Sequence, residues 1–253
     1  SKPSLIIYRT KIARGTPVEG LAKSHGEPLG ADNIKAMKVT YGWQGEGAFE
    51  IPAAVYEYMK TVTEPMKQYE QDWNALFAAY EKAHPELAAQ WKTDHEGKLA
   101  DLLNDEDFWK FEGKAATRNS SGEVLNRLAK RVPNLIGGSA DLSPSNKSVM
   151  KGRAEFSAED RTGSNMHFGI REHAMSAIVN GMALHGGLRP YCATFFVFSD
   201  YMKNGMRLSA MMRLPVSYIL THDSIGVGED GPTHQPVEHL AGLRAIPGLL
   251  VCR

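Results

Sequence analysis

Residues 113–253 alternate between short apolar runs and segments with apolar residues at helical spacing, and this alternation constrains the fold most strongly. The run at 215–220 is rich in β-branched and aromatic residues, which favour a strand. Two further strands are expected, one that opens at residues 135–136 and ends within 137–141, and one at 192–198. A fourth strand is expected to close at residues 167–169. Helical spacing is found around residues 124–129, 172–185 and 202–212. Such alternation predicts an α/β fold, a largely parallel sheet flanked by helices.

The polar loop at residues 221–236 follows the last of these strands and precedes a further helical segment at 237–243. Ligands of open parallel sheets bind at the carboxyl ends of the strands, which is where this loop begins. The loop combines glycines with two histidines and three acids: His222, Asp223, Glu229, Asp230 and His234. Polar, glycine-rich loops at such positions commonly carry function, so the loop is a candidate binding site.

The residues alone leave three other interpretations of this loop. Residues 226–231 match the dinucleotide motif G-x-G-x-x-G, although two neighbouring carboxylates, Glu229 and Asp230, would repel a pyrophosphate. A metal site is possible on residue type, from His222, Asp223, Asp230 and His234. The loop could also be a capped turn in which the acids accept backbone hydrogen bonds.

Composition narrows the class of protein. The 253 residues are 42% hydrophobic and 23% charged, a balance typical of globular domains. Lys and Arg number 29 against 29 Asp and Glu, which argues against broad nucleic-acid or membrane-surface binding. No apolar run is long enough for a membrane span. Cys192 and Cys252 follow no metal or redox spacing, so a reducing, cytoplasmic setting is expected.

The first 112 residues have a different character. A strand is expected at residues 5–8 and a short helix from residues 31–33 to 38, capped by Asp32 or Asn33. His25 lies in a Gly- and Pro-containing loop and is expected to be exposed. Residues 61–112 predict a helical linker, with apolar residues recurring from Trp73 to Tyr80 at helical spacing and a break at Pro85. An apolar run at residues 249–253 is expected to be a strand.

Two further positions have chemistry of interest. Glu172, in Gly-Ile-Arg-Glu-His at 169–173, is expected to begin a helix that is apolar almost all round and therefore buried. A desolvated carboxylate there suits acid/base work, whereas the alternative is a surface cap paired with Arg171. Phe198 is expected at the carboxyl end of a strand, where its ring could face a flat ligand. A helix near residues 124–129 is expected to be capped by Ser121 or one of its neighbours.

Three motifs carry a family resemblance: Gly-Ser-Ala-Asp-Leu at 138–142, Gly-Ile-Arg-Glu-His-Ala-Met at 169–175, and the loop 221–236. Together and in this order they resemble those of transketolases. The resemblance implies the end of a diphosphate-binding domain at 1–60, a helical linker at 61–112 and a truncated pyrimidine-binding domain at 113–253. It is weaker before about residue 110, and Ala13 stands where the family usually has Gly.

Transketolases move a two-carbon ketol unit from a ketose phosphate to an aldose phosphate, as in the pentose phosphate pathway and the Calvin cycle. They use thiamine diphosphate with Mg²⁺ or Ca²⁺, as homodimers with the active site at the subunit interface. The resemblance implies these properties for the complete protein, with the metal ligands outside this chain. The chain alone is expected to be inactive. The alternatives are dihydroxyacetone synthase and a non-catalytic fragment that binds partner chains.

The resemblance also implies roles on the cofactor side of the site. Glu172 resembles the glutamate that hydrogen-bonds the aminopyrimidine ring and takes part in catalysis. Phe198 resembles the aromatic residue stacked on that ring, with Phe195 and Tyr201 lining the pocket. Asp141 resembles an aspartate near the thiazolium.

On the substrate side, Arg118, Ser145 and His222 resemble the group that grips the phosphate of the acceptor. A guanidinium fork suits a phosphate. Asp230 resembles the residue that contacts a substrate hydroxyl, and His234 resembles a catalytic histidine of the same site. His25 resembles a histidine that reaches cofactor and substrate from the other domain.

Overall fold

The computed structural model describes residues 4–45, 47–97, 101–102 and 104–253. The chain divides into two compact units, Ser1–Ala78 and Ala79–Arg253. Residues 1–3, which precede the strand expected at 5–8, lie outside the described residues. No helix in the described ranges combines the length and apolarity that a membrane crossing requires.

The first unit is helical where it has regular structure. A 3-10 turn at Ala22–His25 is followed by α1 (Ala31–Thr40) and by α2 (Ala53–Ala83), which runs past the unit boundary. The strand expected at residues 5–8 is wrong: the segment forms no strand, and Leu5 is 86% exposed. A run of apolar residues cannot make a strand unless a neighbouring strand supplies hydrogen-bond partners.

The helix expected from residues 31–33 is confirmed as α1, but its capping is not as expected. Gly30 is the N-cap residue, with φ 78°, and no side chain caps the helix. Instead, Asn33 Nδ2 donates to Leu29 O at 2.8 Å. The helical spacing from Trp73 to Tyr80 is confirmed as part of α2.

The second unit begins with helices. A new helix, α3 (Pro85–Glu96), starts at Pro85 as expected, since proline fits the first helical turn. The next, α4 (Thr117–Arg131), follows the extended residue Ala116. The expectation that Ser121 or a neighbour caps this helix is wrong, because Ser121 lies inside its second turn and the N-cap residue, Ala116, makes no side-chain capping bond.

A four-stranded parallel sheet forms the centre of the second unit, in the order β2-β1-β3-β4. The strands are β1 (Leu135–Ser139), β2 (Asn165–His167), β3 (Arg189–Phe195) and β4 (Ser217–Thr221). Four helices follow β1, β2, β3 and β4 in turn: α5 (Ser143–Asn146), α6 (Glu172–His185), α7 (Ser199–Met211) and α8 (His239–Arg244). The α/β fold class predicted from the sequence is confirmed.

Both faces of the sheet carry a hydrophobic core. Neighbouring residues of β3 point to opposite faces: Cys192 belongs to a cluster with Met175 and Val179 of α6, and Tyr191 to a cluster with Leu125 of α4. These five side chains are all at most 4% exposed. The sheet is therefore anchored on both sides, which fixes the positions of its strand ends.

The close packing of α6 on α7 depends on a small residue. A Cβ added at Gly205 would lie 2.1 Å from Ser176 Oγ, so glycine permits this approach. Asn180 Nδ2 donates to Gly205 O at 2.9 Å across the same contact. The expectation that α6 is buried all round is wrong, because Ile178 and Leu184 are 44% and 60% exposed.

Two strand expectations are also wrong. The strand expected at 192–198 ends at Phe195, and Phe196–Phe198 forms a 3-10 turn that leads into α7. Residues 249–253 form no strand. In both places aromatic and β-branched residues favour a strand locally, but the tertiary structure supplies no ladder for it.

Candidate active site

The candidate residues lie where parallel strands end. Phe195 is the register partner of Thr221, and Ser139 of Ala193, so β1, β3 and β4 finish at one edge of the sheet. The segments that follow these strands leave from that edge. It is the edge at which open parallel sheets bind ligands.

Four rings form a cluster at this edge, which we call the aromatic–histidine cluster: Phe195, Phe198, His222 and His234. The rings of Phe195 and Phe198 stack at 11° with centroids 5.9 Å apart. The His222 ring lies 3.8 Å from that of Phe195, and the His234 ring meets Phe198 edge-on at 5.3 Å. Phe198 is held from the 3-10 turn after β3, and this turn aims its ring at the loop residues.

His222 occupies a constrained position directly after β4. Its φ is 56°, in the left-handed region that is uncommon for side chains with a Cβ. Arg118 Nη1 lies 3.1 Å from His222 Nε2, and Thr221 Oγ1 lies 3.0 Å from His222 Nδ1. A guanidinium only donates, so His222 Nε2 accepts, and the ring proton of the neutral histidine is on Nδ1.

The environment favours neutral His222. Burial lowers the pKa of this imidazole below its ordinary value, and the positive charge of Arg118 lowers it further. The carboxylates of Asp230 and Asp223 act in the opposite direction. Arg118 gives this corner a permanent positive charge beside a neutral ring, and a guanidinium suits an anionic group.

His234 has a similar polar neighbour. Thr233 Oγ1 lies 2.8 Å from His234 Nδ1, just as Thr221 contacts His222. Sequence analysis did not single out either threonine. The signal was present, since each candidate histidine of the loop directly follows a threonine.

Glu172 begins α6 and is only 7% exposed. Among the described residues its hydrogen-bond donor is Thr194 Oγ1, at 3.5 Å, which is long for a bond to a carboxylate. The alternative of a surface cap paired with Arg171 is wrong, because Glu172 is buried and Arg171 Nη1 donates to Phe168 O at 2.9 Å. A buried carboxylate with so long a contact retains capacity for a further partner.

The remaining predicted site residues lie outside the aromatic–histidine cluster, and most of them are exposed. Asp141 is exposed after β1 with φ 61°, and Asp230 is exposed in the loop. Tyr201 is 66% exposed, with its ring centroid 6.0 Å from that of Phe198. Ser145 lies half-buried in α5, and within the described ranges no hydrogen bond joins it to Arg118 or His222. His25 is exposed in the 3-10 turn of the first unit.

The structure contradicts two of the alternative interpretations of the loop. The segment after Gly231 forms a 3-10 turn at Pro232–His234, and α8 begins only at His239, so the glycine motif does not open a helix as a dinucleotide site requires. His222, Asp223, Asp230 and His234 are not brought within metal-ligand range. In the part of the chain that the structure describes, the group that meets this criterion is Asp200, Glu238 and His239.

This second group, which sequence analysis missed, joins α7 to the start of α8. His239 is 6% exposed, with Nε2 3.1 Å from Asp200 Oδ2 and Nδ1 3.8 Å from Glu238 Oε2. Asp200 and Glu238 contact different nitrogens of the ring, and one ligand atom of each of the three residues lies within 4.8 Å of the others. His239 thereby bridges the two helices.

The fold and the site together define an α/β ligand-binding domain whose site combines a cation, histidines, stacked aromatic rings and a buried carboxylate at the carboxyl edge of a parallel sheet. Residues 113–253 match the family model "Transketolase, pyrimidine binding domain". Residues 1–100 match "Transketolase, thiamine diphosphate binding domain". The chain belongs to the transketolase family.

Curated relatives match along the whole chain. It is 54% identical over 254 residues to a transketolase of Halalkalibacterium halodurans and 53% identical over 256 residues to one of Geobacillus stearothermophilus. Each match covers 100% of this chain and 38% of the relative. The chain thus spans well under half the length of these relatives.

Solved structures agree with this assignment. A Pichia stipitis transketolase in complex with sedoheptulose-7-phosphate superposes with a TM-score of 0.82 and 42% sequence identity, over 94% of this chain and 36% of that one. A Campylobacter jejuni transketolase gives a TM-score of 0.77 at the same identity and coverage.

Proposed function

We propose that the longer protein containing this chain is a transketolase, which moves a two-carbon ketol unit from a ketose phosphate to an aldose phosphate. The observation that carries the proposal is the contact between Arg118 and His222 beside the stacked rings of Phe195 and Phe198. A cationic corner and a flat aromatic surface suit a phosphate and an aromatic cofactor ring. The sugar phosphate bound to the Pichia stipitis relative supports the substrate class.

The residues present fit the pyrimidine end of thiamine diphosphate. Phe198 and Tyr201 offer ring faces, with the buried Phe195 stacked on Phe198, and Glu172 offers a buried carboxylate that can accept a hydrogen bond from an aminopyrimidine. Bound thiamine diphosphate supplies a stabilised carbanion that the side chains of proteins cannot provide. Glu172 holds and exchanges a proton at its carboxylate, while the aromatic side chains orient the ring and exclude water. Asp141 belongs to the thiazolium side.

On the substrate side, Arg118 and His222 bind the phosphate of the acceptor, together with Ser145. Asp230 accepts a hydrogen bond from a substrate hydroxyl, and His234 exchanges protons in the same site. The 3.1 Å distance between Arg118 Nη1 and His222 Nε2 supports this role for the two residues.

The finer features of the complete protein are part of the same proposal. They are a homodimer with the active site at the subunit interface, Mg²⁺ or Ca²⁺ held by residues outside this chain, and a cytoplasmic location. His25 contributes to cofactor and substrate binding from the diphosphate-binding domain. The domains are 1–60, 61–112 and 113–253, as the end of that domain, a helical linker and the pyrimidine-binding domain.

The test is a ketol-transfer assay of the full-length protein that contains this segment, with thiamine diphosphate and Mg²⁺. Fructose 6-phosphate serves as the ketose donor and ribose 5-phosphate as the aldose acceptor. We expect an aldose phosphate two carbons shorter than the donor and a ketose phosphate two carbons longer than the acceptor. A folded protein that binds thiamine diphosphate but forms neither product would contradict the proposal.

A further inference from the structure

The Nε2 atom of neutral His222 carries no proton in this structure and therefore cannot donate a hydrogen bond. Arg118 donates to Nε2, and Thr221 Oγ1 lies 3.0 Å from Nδ1 as the acceptor of the ring proton. Thr221 is buried, at 7% exposure, so bulk water does not readily take its place beside Nδ1. The neutral ring is thereby held in one tautomer.

A phosphate group meets this arrangement as a pure hydrogen-bond acceptor. The second pKa of a phosphate monoester is about 6, so above neutral pH all its terminal oxygens are acceptors. Arg118 can turn its N–H from His222 to the phosphate. The lone pair of His222 Nε2 would then face anionic oxygen, which is repulsive unless Nε2 gains a proton.

We propose that Thr221 is a positioning residue that keeps a proton on Nδ1 of His222, so that a phosphate group binds at Nε2 together with one proton from the solvent. The proton adds to the Nε2 lone pair, no bond between heavy atoms changes, and the resulting imidazolium donates to Thr221 and to the phosphate. This inference rests on the proposed function, in which Arg118 and His222 hold the substrate phosphate.

The charges that face His222 explain why the proton arrives with the ligand. Arg118 of α4 and His234 of the loop oppose a positive ring, whereas Asp230 and Asp223 favour it. From β3, the uncharged Phe195 ring covers one face at 3.8 Å. Burial and the charge of Arg118 have the larger effect, so the pKa of His222 is lowered when no ligand is bound. A bound phosphate dianion adds its negative charge to that of the two carboxylates, and together they favour the protonated ring.

Isothermal titration calorimetry of the full-length protein with thiamine diphosphate tests the proposal. Ribose 5-phosphate is titrated without a donor, so that no transfer occurs, in two non-phosphate buffers that differ in ionisation enthalpy. The dependence of the heat on the buffer gives the number of protons taken up. We expect uptake approaching one proton per site near neutral pH, declining at higher pH, and no uptake with ribose.

Three variants separate a positioning role from a structural one. Thr221→Val removes the acceptor at Nδ1 and frees the ring to carry its single proton on Nε2, so phosphate binding should persist with uptake falling towards zero. Thr221→Ser restores the hydroxyl and should restore uptake. Thr233→Val removes the matching hydroxyl beside His234 and should leave the uptake unchanged.

The outcomes distinguish this inference from the function on which it rests. Equal affinity for ribose 5-phosphate and ribose would contradict the proposed phosphate site itself. A preference for ribose 5-phosphate without proton uptake would overturn only the inference, as would equal uptake in wild type and Thr221→Val. If Thr221→Val does not fold, Thr221→Ser and the wild-type titration still decide whether a proton is taken up.

Discussion

The two units of the chain differ in how much they bury. No described residue of the first unit is buried, from residue 4 to residue 78 with 46 left out. The second unit has a core on each face of its sheet, and side chains such as Met175 and Val179 are 0% exposed. Most helical stability comes from packing an apolar face, so the same secondary structure is far better supported in the second unit.

This difference bears directly on function. Fixing the backbone of a residue costs about 1–2 kcal/mol, which burial must offset. Arg118, Glu172, Phe195 and His222 are attached to elements with a core beneath them and can be held in a fixed geometry. His25 lies on a short turn of the first unit, where no described residue is buried. Changes in the second unit should therefore have the larger effects.

The largest effect is expected from Glu172→Ala in the full-length protein. It should slow ketol transfer by roughly 10²–10⁴-fold, the usual scale for a proton-transfer partner. Steady-state turnover at saturating thiamine diphosphate measures it. The matched control is Glu64→Ala, at an exposed position of the first unit, which should leave turnover unchanged. Near-normal turnover of Glu172→Ala would mean that another carboxylate does this work.

A pair of methionine variants sharpens the comparison of stability. Met175→Ala removes a side chain that is 0% exposed and should lower the free energy of unfolding by about 2–5 kcal/mol. Met66→Ala, at a position that is 57% exposed, should change it by less than about 0.5 kcal/mol. Urea denaturation of the 253-residue chain measures both. Similar losses from the two variants would show that the units do not differ in support.

Arg118→Ala tests the cationic corner. The lost charge-assisted hydrogen bond is worth about 1.5–3 kcal/mol, so the KM for ribose 5-phosphate should rise roughly tenfold to more than a hundredfold. Ribose should be almost unaffected as an acceptor, because it never made that contact. Arg14→Ala, in the first unit, is the control for the loss of a positive charge. An equal loss with both sugars would assign Arg118 to the fold or the cofactor.

The smallest effect concerns pH. The pKa of His222 is lowered in the folded protein, so between that value and its ordinary value near 6.5 the unfolded chain binds more protons. Stability should therefore fall slightly as the pH drops below about 6.5. His222→Gln should remove this part of the pH dependence, which chemical denaturation at several pH values can resolve. An unchanged slope would place His222 in a more exposed environment.

Local sequence patterns predict those elements in which the residues at strand or helix spacing are also the ones that become buried. The sequences of β1, β4 and α6 identify them as strand or helix because packing supports the local preference. The sequence predicts a strand at Phe198 because three phenylalanines within 195–198 favour one, yet β3 ends at Phe195 and a 3-10 turn leads from there into α7. No strand in the described part of the chain pairs with residues 5–8, and a local pattern cannot reveal whether a partner exists.

The site was predictable in its residue types and not in its contacts. Arg118 and His222 are 104 residues apart, and only the packing of α4 on one face of the sheet brings their side chains to 3.1 Å. The roles of both came from the family motifs, whereas the residue types alone offered a metal site that the structure does not assemble. The threonines beside His222 and His234 could have been identified from the sequence alone, because the Thr-His pair occurs twice in the loop.

The most direct test of the central claim is a crystal structure of the full-length protein with thiamine diphosphate and ribose 5-phosphate. The account predicts density for the phosphate in contact with Arg118 and His222, and the carboxylate of Glu172 hydrogen-bonded to the aminopyrimidine. A phosphate bound away from both residues, with Glu172 turned from the cofactor, would contradict it.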